Sequence, residues 1–441
     1  MNANDELQGA PWLVSADVAV IGGGPAGIAA AAHAAEGGAR VVLLDESPRI
    51  GGQIWRHSSE AALGPLARRW IDRLRRSGAT VHTATSVVDV HRNEQGWLVL
   101  AEGSDAPCLV RAQAVVLATG AREGFLAFPG WTLPGVIGVG GAQALLKAGM
   151  PFAGKRVVIA GSGPLLLPVA SALRANGAKL LLVAEQASGQ AVRGFAASLW
   201  RRPRALLQAA RYRARFFEAR YRTNTWVVAA RGGERLEAVE LSDGRRTWTT
   251  TCDVLCAGFG LVPNTELARL IGSSVSDGAV EVDSRQQTSR QGVFCAGEST
   301  GVGGVDLALV EGAIAGLAAA GSERGVQPLV RKRERLRAFT VTMDRVFAPR
   351  AELRALATPE TIVCRCEDVV CGAIDRNWSP RQAKLYTRVG MGPCQGRVCG
   401  AALQFLYGWP ADSVRLPAEA SRYATLLADV GRSATPTDRG A

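Results

Sequence analysis

The sequence predicts an α/β protein in which two Rossmann-like nucleotide-binding domains precede a small C-terminal domain built on four cysteines. Three observations predict it. Strands run straight into glycine turns and helices twice, first at Gly22-Gly23-Gly24-Pro25-Ala26-Gly27 and again from Gly161, and the pairs Cys364-Arg-Cys366 and Cys394-Gln-Gly-Arg-Val-Cys399 stand near the C-terminus. With 441 residues, 47% of them apolar and 20% charged, the chain has room for two or three full-sized cores and the composition of an ordinary globular protein. The divisions expected are 12–150 with 275–330 for a split first domain, 151–274 for the second, 331–357 for a basic linker, 358–415 for the cysteine domain and 416–441 for a tail.

The first unit opens with the apolar strand Asp17 to Ile21. Gly22 permits the tight turn, Gly24 lets the backbone approach a pyrophosphate, and Gly27 lets the helix pack on the strand, with the helix N-terminus at Pro25 and Ala26 facing the phosphates. A second strand, Arg40 to Leu44, ends at Asp45, where a carboxylate can bond ribose hydroxyls; Glu46 is the second candidate. Three later segments select FAD over NAD. Ile50-Gly51-Gly52-Gln53 is similar to the flavoprotein loop beside the pyrophosphate, the strand Ala114 to Leu117 leads into Ala118-Thr119-Gly120, and Cys295-Ala-Gly297-Glu298 precedes a glycine-rich turn and a helix at Leu307 to Ala320. Glu298 stands where an aspartate is usual in that late motif.

In the middle of the chain, the strand Lys155 to Ala160 leads to Gly161-Ser162-Gly163-Pro164 and a helix, and a further strand from Lys179 to Val183 ends near Glu185. This is a second nucleotide fold inserted into the first, the layout of flavoprotein pyridine-nucleotide reductases. Leu166 holds the third glycine position, where a bulky side chain should push the helix from the strand and alter the phosphate pocket. The ligand stays open among NAD(P), ATP, another flavin and none. Cys252 and Cys256 flank a strand and read as core residues; without a redox-active Cys-x-x-Cys or Cys-x4-Cys in either nucleotide domain, a dithiol–disulfide reductase is disfavoured.

Cys364, Cys366, Cys394 and Cys399 suit one metal centre. Structural zinc is the competing reading, but zinc knuckles usually open with two or more residues between paired cysteines, so the Cys-x-Cys pair favours an iron–sulfur cluster. Arg365, Arg397, Arg388 and Lys384 would offset the cluster's negative charge, and Gly390, Gly392, Gly396 and Gly400 let backbone N–H groups point at sulfur. Cys371 reads as a small buried residue.

The formal charge of +12 comes mostly from arginine, concentrated between Arg201 and Arg222 with helical apolar spacing at Leu206, Leu207, Tyr212, Phe216 and Phe217, and again at Arg331 to Arg337. These read as solvated helix faces or as a surface for an acidic partner or a phosphate. Nucleic acid is disfavoured because no binding module accompanies the charge. The apolar stretches Val18 to Ala35 and Val302 to Ala320 are broken by glycines or by Asp306 and Glu311, the N-terminus lacks a basic signal region, and a cytoplasmic location is expected. The four histidines, His33, His57, His82 and His91, are scattered without catalytic spacing, and no catalytic residue is assigned.

Together with Gly-Ala-Arg-Glu at 120–123, Phe128-Pro-Gly-Trp-Thr-Leu-Pro-Gly135 and Gly-Met-Gly-Pro-Cys-Gln-Gly-Arg before Val398, these motifs resemble those of the alpha (A) subunits of heteromeric flavin-dependent amino-acid dehydrogenases, from about Asp17 to Trp409. That family includes opine oxidases, D-hydroxyproline and proline dehydrogenases, and hydrogen cyanide synthase. The resemblance implies FAD, a BFD-like [2Fe–2S] module on the four cysteines, a D-amino-acid-oxidase-like FAD-binding beta subunit that oxidises the substrate, and in some members a small ferredoxin-like gamma subunit. On that pattern the complex oxidises a secondary amine or D-amino acid of the D-hydroxyproline, proline or opine type, and this chain receives electrons and passes them to a quinone-linked chain met peripherally, or to another acceptor; a stand-alone NAD(P)H-dependent flavoprotein reductase, a hydrogen cyanide synthase subunit and a non-enzymatic cluster carrier are the rival expectations.

Overall fold

The computed structural model describes residues 12–410 and 414–430, apart from the side chains of Trp12, Arg201, Arg204, Asp429 and Val430. The described residues divide into two compact units: residues 12–122, 263–338 and 414–430, and residues 123–262 and 339–410.

In the first unit, the strand Trp12–Ile21 lies between Val41–Leu44 and Pro107–Leu117, all parallel, with Thr80–His82 beyond Val41–Leu44. Burial of Val18 to Ile21, of Val41–Leu44 and of most of Pro107–Leu117 explains their runs of valine, isoleucine and leucine, since both faces of the sheet are covered there. The long strand Pro107–Leu117 changes partner along its length. Its first half pairs antiparallel with Gly96–Glu102, which pairs in turn with Ser86–Asn93; its last residues pair in parallel with Val293–Cys295. The return of the chain at Val293 therefore completes the parallel layer beside the glycine turn.

The helices Pro25–Glu36 and Val305–Ala319 cover this sheet as a close pair. A Cβ on Gly312 would lie 2.1 Å from the Ala26 carbonyl oxygen, and one on Gly316 2.1 Å from that of Ala30. The alanine-rich sequence of the first helix and the glycines of the second are thus the two sides of one contact, closer than larger side chains allow. The tail returns to this unit: Ala418 N donates to Val88 O, and Arg422 pairs with Glu102 at 3.0 Å.

In the second unit a five-stranded parallel sheet runs in the order Arg220–Arg222, Lys179–Glu185, Arg156–Gly161, Val254–Gly258, Val136–Gly138. An antiparallel meander, Trp226–Arg231, Ala238–Ser242 and Thr247–Thr251, adds a second layer. The cysteine segment packs on the same core. Val363, Cys364, Ile374, Ala383, Val389, Cys399 and Leu403 are buried with Phe128, Trp131 and Trp226, and Trp131 Nε1 donates to Ile362 O at 2.5 Å. So short a segment has few large apolar side chains of its own, and joining a larger core is how it buries them.

Two stretches differ from the sequence reading. The run expected as a basic linker is helical over Val326–Phe347, and Arg333, 8% exposed, donates to the Asp283 carbonyl and to Gln286 Oε1. The arginine-rich stretch forms a helix only over Pro203–Ala214; Phe216 enters the core while Leu206, Leu207 and Phe217 are exposed, so helical spacing there does not mark a buried face.

Candidate functional site

The front glycine turn has the geometry its sequence calls for. Gly22 has φ of 103°, and a Cβ there would sit 2.3 Å from the Ala118 carbonyl oxygen; on Gly27 it would sit 1.7 Å from Gly22 O. Gly24 caps the helix whose first residue is Pro25, and no acidic side chain occupies its first turn, which leaves the N-terminal N–H groups and the positive end of the dipole clear for an anion. Gly24 meets only the bare Cα of Gly52, which has φ of 57°, while Gln53 follows in the same turn. The late motif arrives from the other side: a Cβ on Gly297 would lie 2.7 Å from that of Ala26.

Asp45 is buried at the end of its strand, accepts from Gly23 N and, at 2.8 Å, from Ser47 N. Burial raises its pKa, and the two N–H donors work against that rise. Glu46 points to solvent, so the structure separates the two acid candidates by burial. Thr119 bonds Ser299 at 2.9 Å, and Asn264 ties the turn back by donating from Nδ2 to Thr119 O at 2.8 Å and from its backbone to Gly120 O. Burial likewise raises the Glu298 pKa, partly offset by the Gly304 N–H.

Sequence reading missed the group that fixes the late motif. Glu311, fully buried on the helix Val305–Ala319, accepts from Gly297 N at 3.0 Å, from Thr300 Oγ1 at 2.8 Å and from Arg337 Nε at 2.9 Å. A carboxylate interrupting an otherwise apolar helix was the available signal, because such a charge must be paired when buried.

The second glycine turn keeps part of this pattern. A Cβ on Gly161 would lie 1.7 Å from Gly258 O, and Gly163 has φ of 97°. Glu185 is fully buried and accepts from Gly163 N at 2.8 Å and Ala187 N at 2.9 Å; burial pushes its pKa up to about 7. The helix after the turn, Leu166–Ala175, begins two residues beyond Pro164, the counterpart of Pro25, with Leu166 itself buried.

The four C-terminal cysteines come together: Cys364 and Cys399 interact through their side chains, as do Cys366 and Cys394, and Cys399 also feels Cys394 and Cys366 also feels Cys364. Among the described residues, no three or more His, Cys, Asp or Glu side chains gather as the cage of one metal ion. Backbone N–H groups turn toward sulfur: Gly390 N lies 3.5 Å from Cys364 Sγ. Burial opposes ionisation of Cys394, yet the Val398 N–H, the Cys366 thiol and the N–H groups of Gly396 and Arg397 outweigh it and lower the thiol's pKa. Gly392 is required by crowding, since a Cβ there would lie 2.4 Å from that of Cys366. Of the cations expected to balance a cluster, Arg388 is engaged by Glu367 at 2.7 Å. Cys371 instead contacts Tyr407 Oη at 3.2 Å. Cys108, Cys252, Cys256 and Cys295 are buried free thiols whose pKa values burial raises, so none is poised as a dithiol nucleophile.

Among the described residues, no helix is long and apolar enough to cross a membrane. The family model described as pyridine nucleotide-disulphide oxidoreductase matches residues 16–316. The opine oxidase A subunit of Rhizobium meliloti is 32% identical over 88% of this chain and 81% of its own length. Hydrogen cyanide synthase subunit HcnB of Pseudomonas protegens is 31% identical over 88% of this chain and 90% of its own. The crystal structure of L-proline dehydrogenase from P. horikoshii shares the fold with a TM-score of 0.69, at 20% identity, covering 94% of this chain and 80% of that one.

Proposed function

Since this chain belongs to the pyridine nucleotide-disulphide oxidoreductase family and is a flavin oxidoreductase, we propose that it is the electron-transferring flavin and iron–sulfur subunit of a heteromeric dehydrogenase. Its complex would oxidise a secondary amine or D-amino acid of the D-hydroxyproline, proline or opine type. The observation that carries this reading is the pairing of Cys364 with Cys399 and Cys366 with Cys394 under backbone N–H groups, on a chain that also holds a complete dinucleotide cradle. Two thiol pairs suit a [2Fe–2S] cluster, whose two irons each take two thiolates.

Family membership implies FAD. Gly22, Gly24 and Gly27 leave room for it, the helix beginning Pro25-Ala26 offers N–H groups to its pyrophosphate, and Asp45 has acceptor capacity left for ribose hydroxyls. Gly52, Gln53, Thr119, Gly120, Gly297 and Glu298 would line its remaining length. A bound flavin exchanges both electron pairs and single electrons, which is what a step between an amine and a one-electron centre needs. The protein's part is to hold the two carriers and exclude water. The catalytic partner would be a D-amino-acid-oxidase-like FAD-binding subunit, with a small ferredoxin-like protein and a quinone or other acceptor beyond; the names of the opine oxidase and hydrogen cyanide synthase relatives, each given as one subunit, support such a role. A cyanide-forming complex is the second reading, favoured by the match to HcnB over the same share of the chain.

Copurification of the native complex, followed by its visible spectrum and an amino-acid screen with an artificial electron acceptor, tests this. Turnover of a secondary amine or D-amino acid by a multi-subunit species is expected, and cyanide release from glycine would select the second reading. Full dehydrogenase activity in the isolated chain would overturn the subunit role.

A further inference from the structure

We infer that the second nucleotide fold is closed by the protein's own chain: residues Phe347 to Arg350 lie over the Gly161–Pro164 turn, and the fold takes no dinucleotide. The turn itself is of dinucleotide type, as the close approach of Gly161 to Gly258 shows. What differs is its cover. A Cβ on Gly163 would lie 3.8 Å from both Cβ and Cγ of Phe347, so an aromatic side chain stands against the glycine that a pyrophosphate must approach. At the equivalent Gly24 of the first fold the neighbour is another glycine.

The cover is held by buried polar groups from the strand ends that would otherwise face the nucleotide. Ser162 Oγ donates to Phe347 O at 2.6 Å, and Gln186 Nε2 donates to Ser162 Oγ and to Ala348 O, each at 2.9 Å. Gln186 Oε1 accepts from Arg350 N at 3.1 Å. Ser162 is 7% and Gln186 2% exposed, so a ligand displacing the cover would leave these groups to find new partners away from water. Side chains anchor both ends: Phe347 packs edge-on against Phe195 at 5.2 Å, while the Arg350 guanidinium lies 4.0 Å over the Trp226 ring and Nη1 donates to Asn224 Oδ1 at 2.9 Å.

The phosphate end is altered as well. Leu166 N and Leu167 N bond back to Gly163 O and Pro164 O, each at 3.2 Å, which spends the first helical N–H groups on a tightened turn. Glu185, the acid that would meet a ribose, accepts from backbone N–H groups as Asp45 does but is fully buried, whereas Asp45 keeps 6% exposure. Electrons from NADH or NADPH therefore have no entrance at this fold, a conclusion that stands whatever substrate the complex oxidises.

The test uses the full chain loaded with FAD, so that the first fold is filled. Calorimetric titration with NADH, NADPH and ATP should give no saturable binding, and anaerobic NADH or NADPH should not bleach the flavin. By hydrogen exchange, the Arg350 amide should be protected in the wild type and exchange roughly tenfold faster in Gln186→Ala. Saturable binding that alters exchange across Gly161–Leu166 would overturn the inference, as would a wild-type Arg350 amide that exchanges as fast as an unstructured one, a readout that holds even if the variant fails to fold.

Discussion

Replacing Arg337 by methionine should destabilise the first unit and loosen its hold on the flavin. Glu311 has a side chain only 1% exposed, and its three donors are Gly297 N, Thr300 Oγ1 and Arg337, of which Arg337 alone carries charge. Removing one partner of a buried ion pair costs about 3–5 kcal/mol, because the remaining charge stays desolvated. Arg337 is itself about one-third exposed and two neutral donors remain on Glu311, so the lower end, about 3 kcal/mol, applies. That corresponds to a fall in Tm of roughly 6–12 °C for a unit of this size. Intrinsic fluorescence would follow unfolding and the rise of free-flavin fluorescence would follow cofactor release. Since Glu311 fixes the Gly297 N–H, both transitions should move down together. The double variant Arg337→Met/Glu311→Leu should recover much of the loss, as no buried charge is then stranded. An Arg337→Met protein that melts within about 2 °C of wild type with its flavin retained would refute the reasoning.

Gly27→Val should yield a folded but colourless protein, because a Cβ at 1.7 Å from Gly22 O forces the helix away from the turn; flavin content per chain and far-UV circular dichroism measure this, and a flavin-replete variant would count against the cradle. Glu185 gives a pH effect of defined sign. Its proton is held to about 7 in the folded protein against an ordinary 4.5, so the native state binds more protons than the unfolded state between these values. Its contribution is complete below pH 4.5 and is lost as pH rises to 7, by up to about 3 kcal/mol. Glu185→Gln should flatten this part of a denaturation-versus-pH profile, and an unchanged slope would show that the carboxyl is ionised throughout. If the four cysteines hold the proposed cluster, Cys394→Ser should abolish its absorbance while flavin stays bound, since the cradle and the cysteines lie in different units; simultaneous loss of both would contradict that independence.

What could be read from the sequence was what is local to it. Gly22, Gly24 and Gly27 announce themselves because strand, turn and helix follow within a few residues, and Asp45 because the next strand ends there. The cysteine pairs were legible as pairs, but that Cys364 meets Cys399 and Cys366 meets Cys394 depends on a fold that brings distant segments together. Glu311 appeared only as a charge interrupting an apolar run and Arg337 only as one of many arginines; each takes its meaning from the other. Leu206, Leu207 and Phe217 show the converse. Their spacing named a helical face, yet periodicity says nothing about what covers a face, and there the structure covers only Phe216. Leu166 lies between these cases. Its bulk foretold a disturbed phosphate turn, and the helix does begin late, but the residues that lie over the turn come from Phe347 onward, far along the chain. A degenerate glycine motif therefore tells where a nucleotide site has been modified, while what has replaced the nucleotide is written in side chains such as Ser162 and Gln186, whose partners only the folded chain supplies.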